Sequence, residues 1–268
     1  MKDRILATLV LWTLILGLPY LLGDAGAFLL LAVFGTGTFV EFSWLLRRSG
    51  RSIDRGFSML AFVVLLLTMI FFPPWVLPPF ALLCLGLVLM AIACLLRSNS
   101  GEITAHTLAT TGAVFFLLFP FGSGVLIVHE SGVTLLVWII AVTKFGDVGA
   151  LLTGMWLGKN KLSPILSPNK TWEGLAGGVT AAVVISVLYV LFLGEWLPES
   201  LGPGGAAWKA VFIALAGVGG DLLESAFKRE ANVKDSGVAI PGIGGFFDLS
   251  DSLLLALPVG YGLIWLFL

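Results

Sequence analysis

The stretch GDLLESAFKREANVKDSGVAIPGIGGFFDLSDS, residues 220–252, concentrates acids, bases, hydroxyls and glycines between two long apolar runs. The pattern predicts a chain that leaves one membrane span, forms a polar segment and enters another span. Asp221 and Glu224 are three residues apart, as are Asp248 and Asp251, so on helices each pair would share one face. Acidic faces beside bases and glycines suit a divalent cation that holds a polyphosphate.

The composition of the whole chain indicates a membrane protein. Of the 268 residues, 58% are apolar and 12% are charged, and the mean hydropathy is +1.04. Soluble domains contain about 25% charged residues, so this chain lacks the charge to cover a water-facing surface. We therefore predict an all-α polytopic membrane protein with about nine spans, because one span takes about 20 residues. Cys84 and Cys94 lie within one apolar run and are expected to be core thiols.

The distribution of basic residues predicts the orientation of these spans. The predicted spans lie near residues 5–22, 25–46, 56–72, 75–96, 104–128, 133–157, 172–193, 206–225 and 250–267. With the N-terminus in the cytoplasm, every base except Lys144 and Lys209 falls on the cytoplasmic side, as the positive-inside rule requires. The first span resembles a signal peptide, but its apolar core is longer than such a segment has, so we expect a retained helix.

Two of the predicted spans contain charges that need an explanation. In TKFGDVGALLTGMWLG, residues 143–158, Lys144 and Asp147 lie three apart on one helical face. An isolated charge at mid-membrane costs about 3 kcal/mol, so either the pair neutralises itself or the span lines a polar cavity open to the cytoplasm. The glycines of this span favour close helix packing or close approach of a ligand. Glu41, near the end of the second span, needs a partner, a function or access to water.

The segment KNKLSPILSPNKTWEGLAGG, residues 159–178, contains a candidate phosphate-binding lysine. Pro168 ends one element, and the residues from Thr171 onwards begin the seventh span. Lys170 therefore stands at a helix start, where free backbone N–H groups suit a phosphate. The alternative is that Lys170 only marks the cytoplasmic side, with Trp172 at the membrane interface.

Three blocks, in their order and spacing, resemble the phosphatidate cytidylyltransferase (CDP-diacylglycerol synthase) family: FGDVGALLTGMWLGKNKL, SPNKTWEG and GDLLESAFKREANVKDSG…PGIGGFFDLSDS. The resemblance covers about residues 143–252, and the N-terminal half shares only hydrophobicity with the family. The positions that match the motif in the last block are Ser225, Lys228, Arg229, Lys234, Asp235, Pro241, Gly242, Gly244, Gly245, Asp248 and Asp251. Ile243 and Leu249 replace the family's histidine and arginine, which argues against an obligatory imidazole and removes one phosphate contact.

The resemblance implies that CTP and phosphatidic acid react to give CDP-diacylglycerol and pyrophosphate, with Mg²⁺ and room for a second cation such as K⁺. The lipid phosphate is already anionic at neutral pH, so the residues must offset repulsion between two anions rather than supply a strong base. The implied catalytic residues are Asp221, Asp248, Lys170 and Lys228. The implied metal ligands are Asp221, Asp248, Asp251 and Asp147. The implied substrate-binding residues are Ser167, Lys170, Ser225, Lys228, Arg229, Lys234, Asp235, Gly244 and Gly245.

The remaining expectations concern organisation and partners. We expect scaffold helices over residues 1–100 and a catalytic region over 101–268 with cytoplasmic loops 159–171 and 226–249. The resemblance implies a protein of a prokaryotic inner membrane with its active site facing the cytosol. Its partners would be CTP, phosphatidic acid and membrane lipids, without nucleic acid, and GLAGG at 174–178 allows a homodimer interface. Two alternatives are a CTP-dependent transferase for another lipid phosphate and a transporter, which the absence of an internal repeat disfavours.

Overall fold

The structure, a computed structural model, describes residues 2–72, 103–240, 242 and 244–267. These residues form helices joined by short connections, with one β-hairpin. The helices are α1 (Lys2–Leu22), α2 (Asp24–Arg48), α3 (Arg55–Phe71), α4 (Ile103–Ser131), α5 (Val133–Leu157), α6 (Trp172–Leu193), α7 (Pro203–Glu230), α8 (Phe246–Ser250) and α9 (Leu253–Phe267). The hairpin pairs β1 (Lys161–Ser163) with β2 (Ser167–Thr171), and a 3₁₀ turn at Gly194–Trp196 follows α6.

The prediction of an all-α polytopic membrane protein is confirmed. Among the described residues, six helical segments are long and apolar enough to cross a membrane: Asp24–Arg48, His106–Ser131, Val133–Leu157, Trp172–Trp196, Pro203–Glu230 and Phe246–Phe267. Val10–Leu22 and Arg55–Phe71 are shorter apolar helical segments. The predicted span at 75–96, with Cys84 and Cys94, lies outside the described residues, and the count of nine spans stays a prediction.

Both polar connections that the sequence marks as loops contain regular structure. The span predicted to end at residue 225 continues as α7 to Glu230, so Lys228 and Arg229 lie on the last turn of a helix. The segment 159–171 holds the β-hairpin, in which Lys161 pairs with Thr171. Its strands are only three and five residues long and lack alternating apolar residues, so no pattern in the sequence predicts them.

The chain divides into two compact units, neither of which is a continuous stretch. The first unit comprises Met1–His129 and Phe227–Ser250, and the second comprises Glu130–Ala226 and Asp251–Leu268. The expected division into residues 1–100 and 101–268 stays a prediction.

Aromatic side chains around α2 form the core of the first unit. Phe39 and Phe62 are fully buried, and their rings stack with centroids 4.8 Å apart. Phe42 lies 5.0 Å from the ring of Phe227 and 5.4 Å from that of Phe247. Tilted and edge-to-face arrangements at this distance are favourable for aromatic rings. These contacts hold α2 against the segment that begins at the end of α7 and includes α8.

Small residues bring α5 and α6 close together in the second unit. A Cβ atom on Gly178 would lie 2.9 Å from both the Gly146 carbonyl oxygen and the Ala150 Cβ, and one on Gly177 would overlap the Thr153 side chain. Helices in lipid associate through such close packing, because lipid tails are as apolar as the side chains. Gly149, a glycine of the span at 143–158, fits in the same way, because a Cβ atom there would overlap the Ala181 side chain, so close helix packing is observed for this span.

A buried hydrogen-bond chain connects three helices of the second unit. The Trp138 indole N–H on α5 donates to the Ser186 hydroxyl on α6 over 3.1 Å. The Ser186 hydroxyl donates in turn to the Ala206 carbonyl on α7 over 3.0 Å. All three residues are fully buried. The chain satisfies polar groups that lipid cannot satisfy, and it fixes α5, α6 and α7 beside one another.

Candidate active site

Three carboxylates meet in the second unit. One oxygen from each of Asp221, Glu224 and Asp251 lies within 4.8 Å of the others. The first two project from α7 with the three-residue spacing that places side chains on one face, and the third comes from the turn before α9. Gly220 permits this approach, because a Cβ atom there would overlap the Asp251 carbonyl oxygen. We call Asp221, Glu224 and Asp251 the carboxylate triad.

A lysine of α5 lies beside one member of the triad. The Lys144 ammonium contacts the Ser252 hydroxyl at 2.7 Å, Asp251 Oδ1 at 3.4 Å and Asp147 Oδ2 at 3.5 Å. The Ser252 hydroxyl donates to Asp147 Oδ2 over 2.9 Å, and the Ser252 backbone N–H donates to Asp251 Oδ1 over 2.6 Å. Lys144 therefore pairs with two acids, whereas the sequence suggests only Asp147 as its partner.

A second lysine reaches the triad from the hairpin. The Lys170 ammonium lies 2.6 Å from Asp221 Oδ2. Both residues line a cavity of about 440 Å³, whose polar lining also includes Asp147 and Asn169. Its apolar lining residues are Ala150, Leu151, Met155, Leu162, Leu175 and Val218. A cavity lined by both charged and apolar residues suits the phosphate and the apolar part of an amphipathic molecule.

The start of α6 fixes the position of Lys170. The Thr171 hydroxyl accepts the Gly174 N–H over 3.1 Å and so caps the helix. The Glu173 carboxylate accepts the backbone N–H groups of Lys159 and Asn160, and it also accepts the Asn160 side-chain N–H over 2.7 Å. The Trp172 N–H donates to the Asn160 carbonyl over 3.0 Å. These bonds join the residues just before β1 to the residues just after β2, and so they fix the strand that carries Lys170.

We expect Thr171→Val to loosen this arrangement without changing the volume of the side chain. Thr171 is 5% exposed, and loss of an N-cap hydroxyl costs about 1 kcal/mol. The thermal midpoint in detergent should fall, and any turnover that depends on Lys170 should fall with it. Thr180→Val, at an exposed position on the same helix, is the matched control and should leave both quantities unchanged. Equal midpoints for the two variants would show that the cap does not hold Lys170.

A separate acidic group lies in the first unit. The Asp248 carboxylate accepts the Gly245 N–H at 2.7 Å, the Ser236 hydroxyl at 2.8 Å and the Ser236 N–H at 3.1 Å. Lys228 on α7 lies 3.0 Å from Asp248 Oδ1. On α2, Glu41 Oε2 accepts the Phe247 N–H over 2.9 Å and lies 3.2 Å from the Ser236 hydroxyl oxygen. Glu41 therefore has the partners that a carboxylate within an apolar helix requires.

The glycine-rich segment before Asp248 forms a tight turn. Ile240 and Gly244 exchange backbone hydrogen bonds of 2.8 and 3.1 Å. Gly242 has φ +78° and Gly244 has φ +132°, which are conformations that residues with a side chain rarely adopt. The glycines at these two positions are thus required by the turn. Pro241 and Ile243 lie outside the described residues.

The structure brings some of the predicted site residues together. In the second unit Asp147, Lys170, Asp221 and Asp251 belong to one network of contacts, and in the first unit Lys228, Gly245 and Asp248 belong to another. Ser167 lies in β2, while Ser225 and Arg229 lie on α7 and Lys234 and Asp235 in the exposed segment after it. Through the part of the chain that the structure describes, these five form no hydrogen bond or ion pair with the carboxylates of either network.

One expectation about Asp248 and Asp251 is wrong. They were expected to share one helical face, but α8 ends at Ser250, and Asp251 lies in the turn that follows. The two carboxylates consequently have different partners, Asp248 in the first unit and Asp251 in the second. The convergence of Asp221 with Asp248 stays a prediction.

Several participating residues do not belong to the predicted site. Glu224 completes the triad and is 1% exposed, and its only indication in the sequence is the three-residue spacing from Asp221. Ser252 links Lys144 to Asp147 in the second unit, and Ser236 lies between Glu41 and Asp248 in the first. Nothing in the sequence distinguishes these two residues from other serines. Glu173 is the helix-start acid of the second block, and its role in closing the hairpin is visible only in the structure.

The fold and these groups together define a polytopic helical membrane protein with carboxylates and lysines gathered among apolar helices. Residues 2–267 match the model of the Cytidylyltransferase family, and the chain belongs to that family. It is 31% identical to a phosphatidate cytidylyltransferase of Pseudomonas aeruginosa over 273 residues, which cover 99% of this chain and 97% of that protein.

Two further relatives match mainly one part of the chain. A phosphatidate cytidylyltransferase of Haemophilus influenzae is 39% identical over 152 residues, covering 54% of this chain and 53% of that protein. One of Bacillus subtilis is 40% identical over 138 residues, covering 52% of this chain and 50% of that protein. In these two matches the chain thus spans about half the length of the relatives.

Proposed function

We propose that the chain is a phosphatidate cytidylyltransferase, which converts CTP and phosphatidic acid into CDP-diacylglycerol and pyrophosphate. The carboxylate triad beside Lys144 and Lys170 is the observation on which the proposal rests. Membership of the Cytidylyltransferase family and the names of the relatives support it. In the reaction an oxygen of the lipid phosphate bonds to the α-phosphorus of CTP as the bond to the pyrophosphate oxygen breaks.

The triad fits the proposed Mg²⁺. Its ligand atoms are carboxylate oxygens within 4.8 Å of one another, and Mg²⁺ prefers oxygen ligands and commonly uses one or two carboxylates together with substrate phosphates. When bound, the ion would offset the charge of the polyphosphate. Asp147 is a further proposed ligand in the second unit. Asp248, in the first unit, is proposed as a metal ligand from the family resemblance alone. A second cation such as K⁺ is proposed on the same ground.

The basic residues are proposed to hold phosphates. Lys170 is supported by its position in the wall of the cavity beside Asp221, where an arriving phosphate oxygen would compete with that carboxylate. The apolar residues that line the same cavity suit the glycerol and acyl portion of a lipid. Phosphate contacts by Lys228, Arg229 and Lys234, and substrate contacts by Ser167, Ser225, Asp235, Gly244 and Gly245, are proposed from the resemblance.

The proposed orientation places the N-terminus and the active site on the cytosolic side of a prokaryotic inner membrane. A count of nine spans is part of this proposal, which the distribution of basic residues supports: with nine spans, every base except Lys144 and Lys209 would fall on the cytoplasmic side. CTP would then arrive from the cytosol while the acyl chains of phosphatidic acid remain in the bilayer. A scaffold role for residues 1–100 and a homodimer through the small residues at 174–178 are parts of the same proposal.

The direct test supplies radiolabelled CTP and a panel of lipid phosphates to the purified protein in detergent. We expect label to enter CDP-diacylglycerol with phosphatidic acid, one pyrophosphate to be released per lipid formed, and EDTA to stop the reaction. Transfer only to a polyprenyl phosphate or an ether-lipid phosphate would correct the acceptor. No pyrophosphate release with any acceptor, from protein that remains monodisperse and helical, would contradict the proposal.

A further inference from the structure

Glu41 is an acid of α2 that lies outside the motif blocks of the sequence, which begin near residue 143. Its carboxylate oxygen Oε2 accepts the Phe247 N–H over 2.9 Å and lies 3.2 Å from the Ser236 hydroxyl oxygen. Both groups belong to the segment that contains Asp248. A carboxylate on a membrane helix has thus been placed against a glycine-rich turn 195 and 206 residues further along the chain.

The turn is shaped to admit this carboxylate. A Cβ atom on Gly237 would overlap Glu41, and so would one on Gly245, and the three nearest atoms in each case all belong to the Glu41 carboxylate. Neither glycine has a positive φ, so the turn geometry does not require glycine at these two positions. The glycines are explained by the close approach of Glu41, which differs from the conformational reason at Gly242 and Gly244.

The contacts continue from Glu41 to the predicted site residues. The Ser236 hydroxyl lies 3.2 Å from Glu41 Oε2 and 2.8 Å from Asp248 Oδ2, and it therefore sits between the two acids. Asp248 also accepts the Gly245 N–H and pairs with Lys228 at 3.0 Å. Displacing the Glu41 carboxylate would thus release Ser236 and Phe247, the residues that determine where Asp248 lies.

Other contacts of α2 hold the ends of the same segment. The Thr38 hydroxyl lies 3.1 Å from the Ser250 hydroxyl and 3.3 Å from the Phe246 carbonyl oxygen. A Cβ atom on Gly37 would lie 2.6 Å or less from atoms of the Phe246 ring. Phe42 packs on Phe247, as described above. One face of α2 is therefore fitted to the segment, with Glu41 as its charged contact.

We propose that Glu41 is a positioning residue, which holds Ser236 and Phe247 so that Asp248 and Lys228 are placed for the reaction. The inference rests on the proposed function for what Asp248 and Lys228 do, but the positioning itself is a property of the first unit alone. It assigns α2 a part in the chemistry, in addition to the scaffold role expected for the N-terminal helices.

Hydrogen–deuterium exchange of the full-length protein in detergent tests the positioning without reference to activity. In Glu41→Ala, the Phe247 amide should exchange at least about ten-fold faster, because it loses a hydrogen bond to a charged group that provides that much protection. The Gly245 amide, which donates to Asp248, should also exchange faster if the variant displaces Asp248. Glu41→Gln retains an acceptor oxygen and should give intermediate rates. Glu199→Gln, in an exposed loop, is the control and should match the unmodified protein. Unchanged exchange in Glu41→Ala would overturn the proposal, whatever the enzyme does.

A double-variant experiment tests whether the glycine contact acts through Glu41. Gly237→Ala introduces a methyl group into the space of the carboxylate and should accelerate exchange at Phe247 as Glu41→Ala does. Combining the two changes should add nothing, because the methyl group then meets no carboxylate. Full additivity of the two effects would overturn the proposal, since it would show that Gly237 acts independently of Glu41.

Kinetics then separate positioning from a merely structural role. Per folded molecule, kcat/KM for CTP should fall about ten-fold in Glu41→Ala, the loss typical when a supporting contact of a site is removed, and Glu41→Gln should restore most of it. KM for phosphatidic acid should change less than KM for CTP. Loss of folded protein with unchanged kinetic constants would overturn the positioning role. Absence of CDP-lipid synthesis in the unmodified protein would refute the proposed function and leave the exchange result to decide on Glu41.

Discussion

Asp221→Asn is expected to lower the rate of CDP-diacylglycerol formation by about 100- to 1000-fold, the range found when one preorganised electrostatic group is removed from an active site. The change preserves the shape of the side chain and removes its charge. Asp221 is a member of the triad and lies 2.6 Å from Lys170, so its charge acts on both the proposed cation and the proposed phosphate-binding lysine. The assay is transfer of label from CTP to lipid, normalised to folded protein.

Glu224→Gln tests the member of the carboxylate triad that is identified only from the structure. Glu224 is not among the site residues that the resemblance implies, whereas it belongs to the triad, and the residue is 1% exposed. We expect a loss of turnover comparable to that of Asp221→Asn and a higher Mg²⁺ concentration for half-maximal rate. Glu199→Gln is again the matched control. Normal Mg²⁺ dependence in Glu224→Gln would remove Glu224 from the site.

Three aspartate variants together test the proposed metal ligands. Asp221→Asn, Asp248→Asn and Asp251→Asn should each abolish most turnover while the protein stays folded in detergent. If all three variants form CDP-lipid at near-normal rates, the assignment is wrong. If only Asp248→Asn is active, the ligands lie within the second unit, and Asp248 acts through the glycine-rich turn or not at all.

The helices could be predicted from the sequence because the bilayer imposes a simple rule. A span must satisfy its backbone internally and present apolar side chains over about 20 residues, and this demand is visible in any window of the chain. The polar connections obey no such rule. The hairpin at 159–171 and the extension of α7 to Glu230 depend on hydrogen bonds such as those of Glu173, which leave no periodic pattern.

The site could be predicted only in part, for a related reason. Lys144, Asp147 and Asp221 stand out because a charge in an apolar run is costly. Their partners do not stand out, since a serine in a loop is unremarkable until the fold places it. Ser236 lies 195 residues from Glu41, and Ser252 lies 108 residues from Lys144. A single sequence reveals which charges need partners, but the pairing of distant residues is decided by the fold.

Lys144→Met is expected to have the second large effect, on stability as well as on activity. The change leaves Asp147 and Asp251 without the ammonium that contacts both. Removing one partner of a fully buried ion pair costs about 3–5 kcal/mol, and because the Lys144 side chain is 24% exposed we expect about 2–3 kcal/mol here. The measurement is the thermal midpoint of the purified protein, and Lys144→Arg, which keeps the charge, should retain most of the stability.

The double variant Lys144→Met with Asp147→Asn distinguishes the two roles that the sequence allows for this lysine. If Lys144 serves only to neutralise Asp147, the double variant should recover both stability and turnover. The structure predicts a different result, because Lys144 also contacts Ser252 at 2.7 Å and Asp251 Oδ1 at 3.4 Å and so orients a carboxylate of the triad. We therefore expect the thermal midpoint to recover only in part, because Asp251 still lacks the ammonium, while turnover stays at least about 100-fold low. Recovery of turnover would show that the pair is structural and that the charges of Lys144 and Asp147 are dispensable for the chemistry.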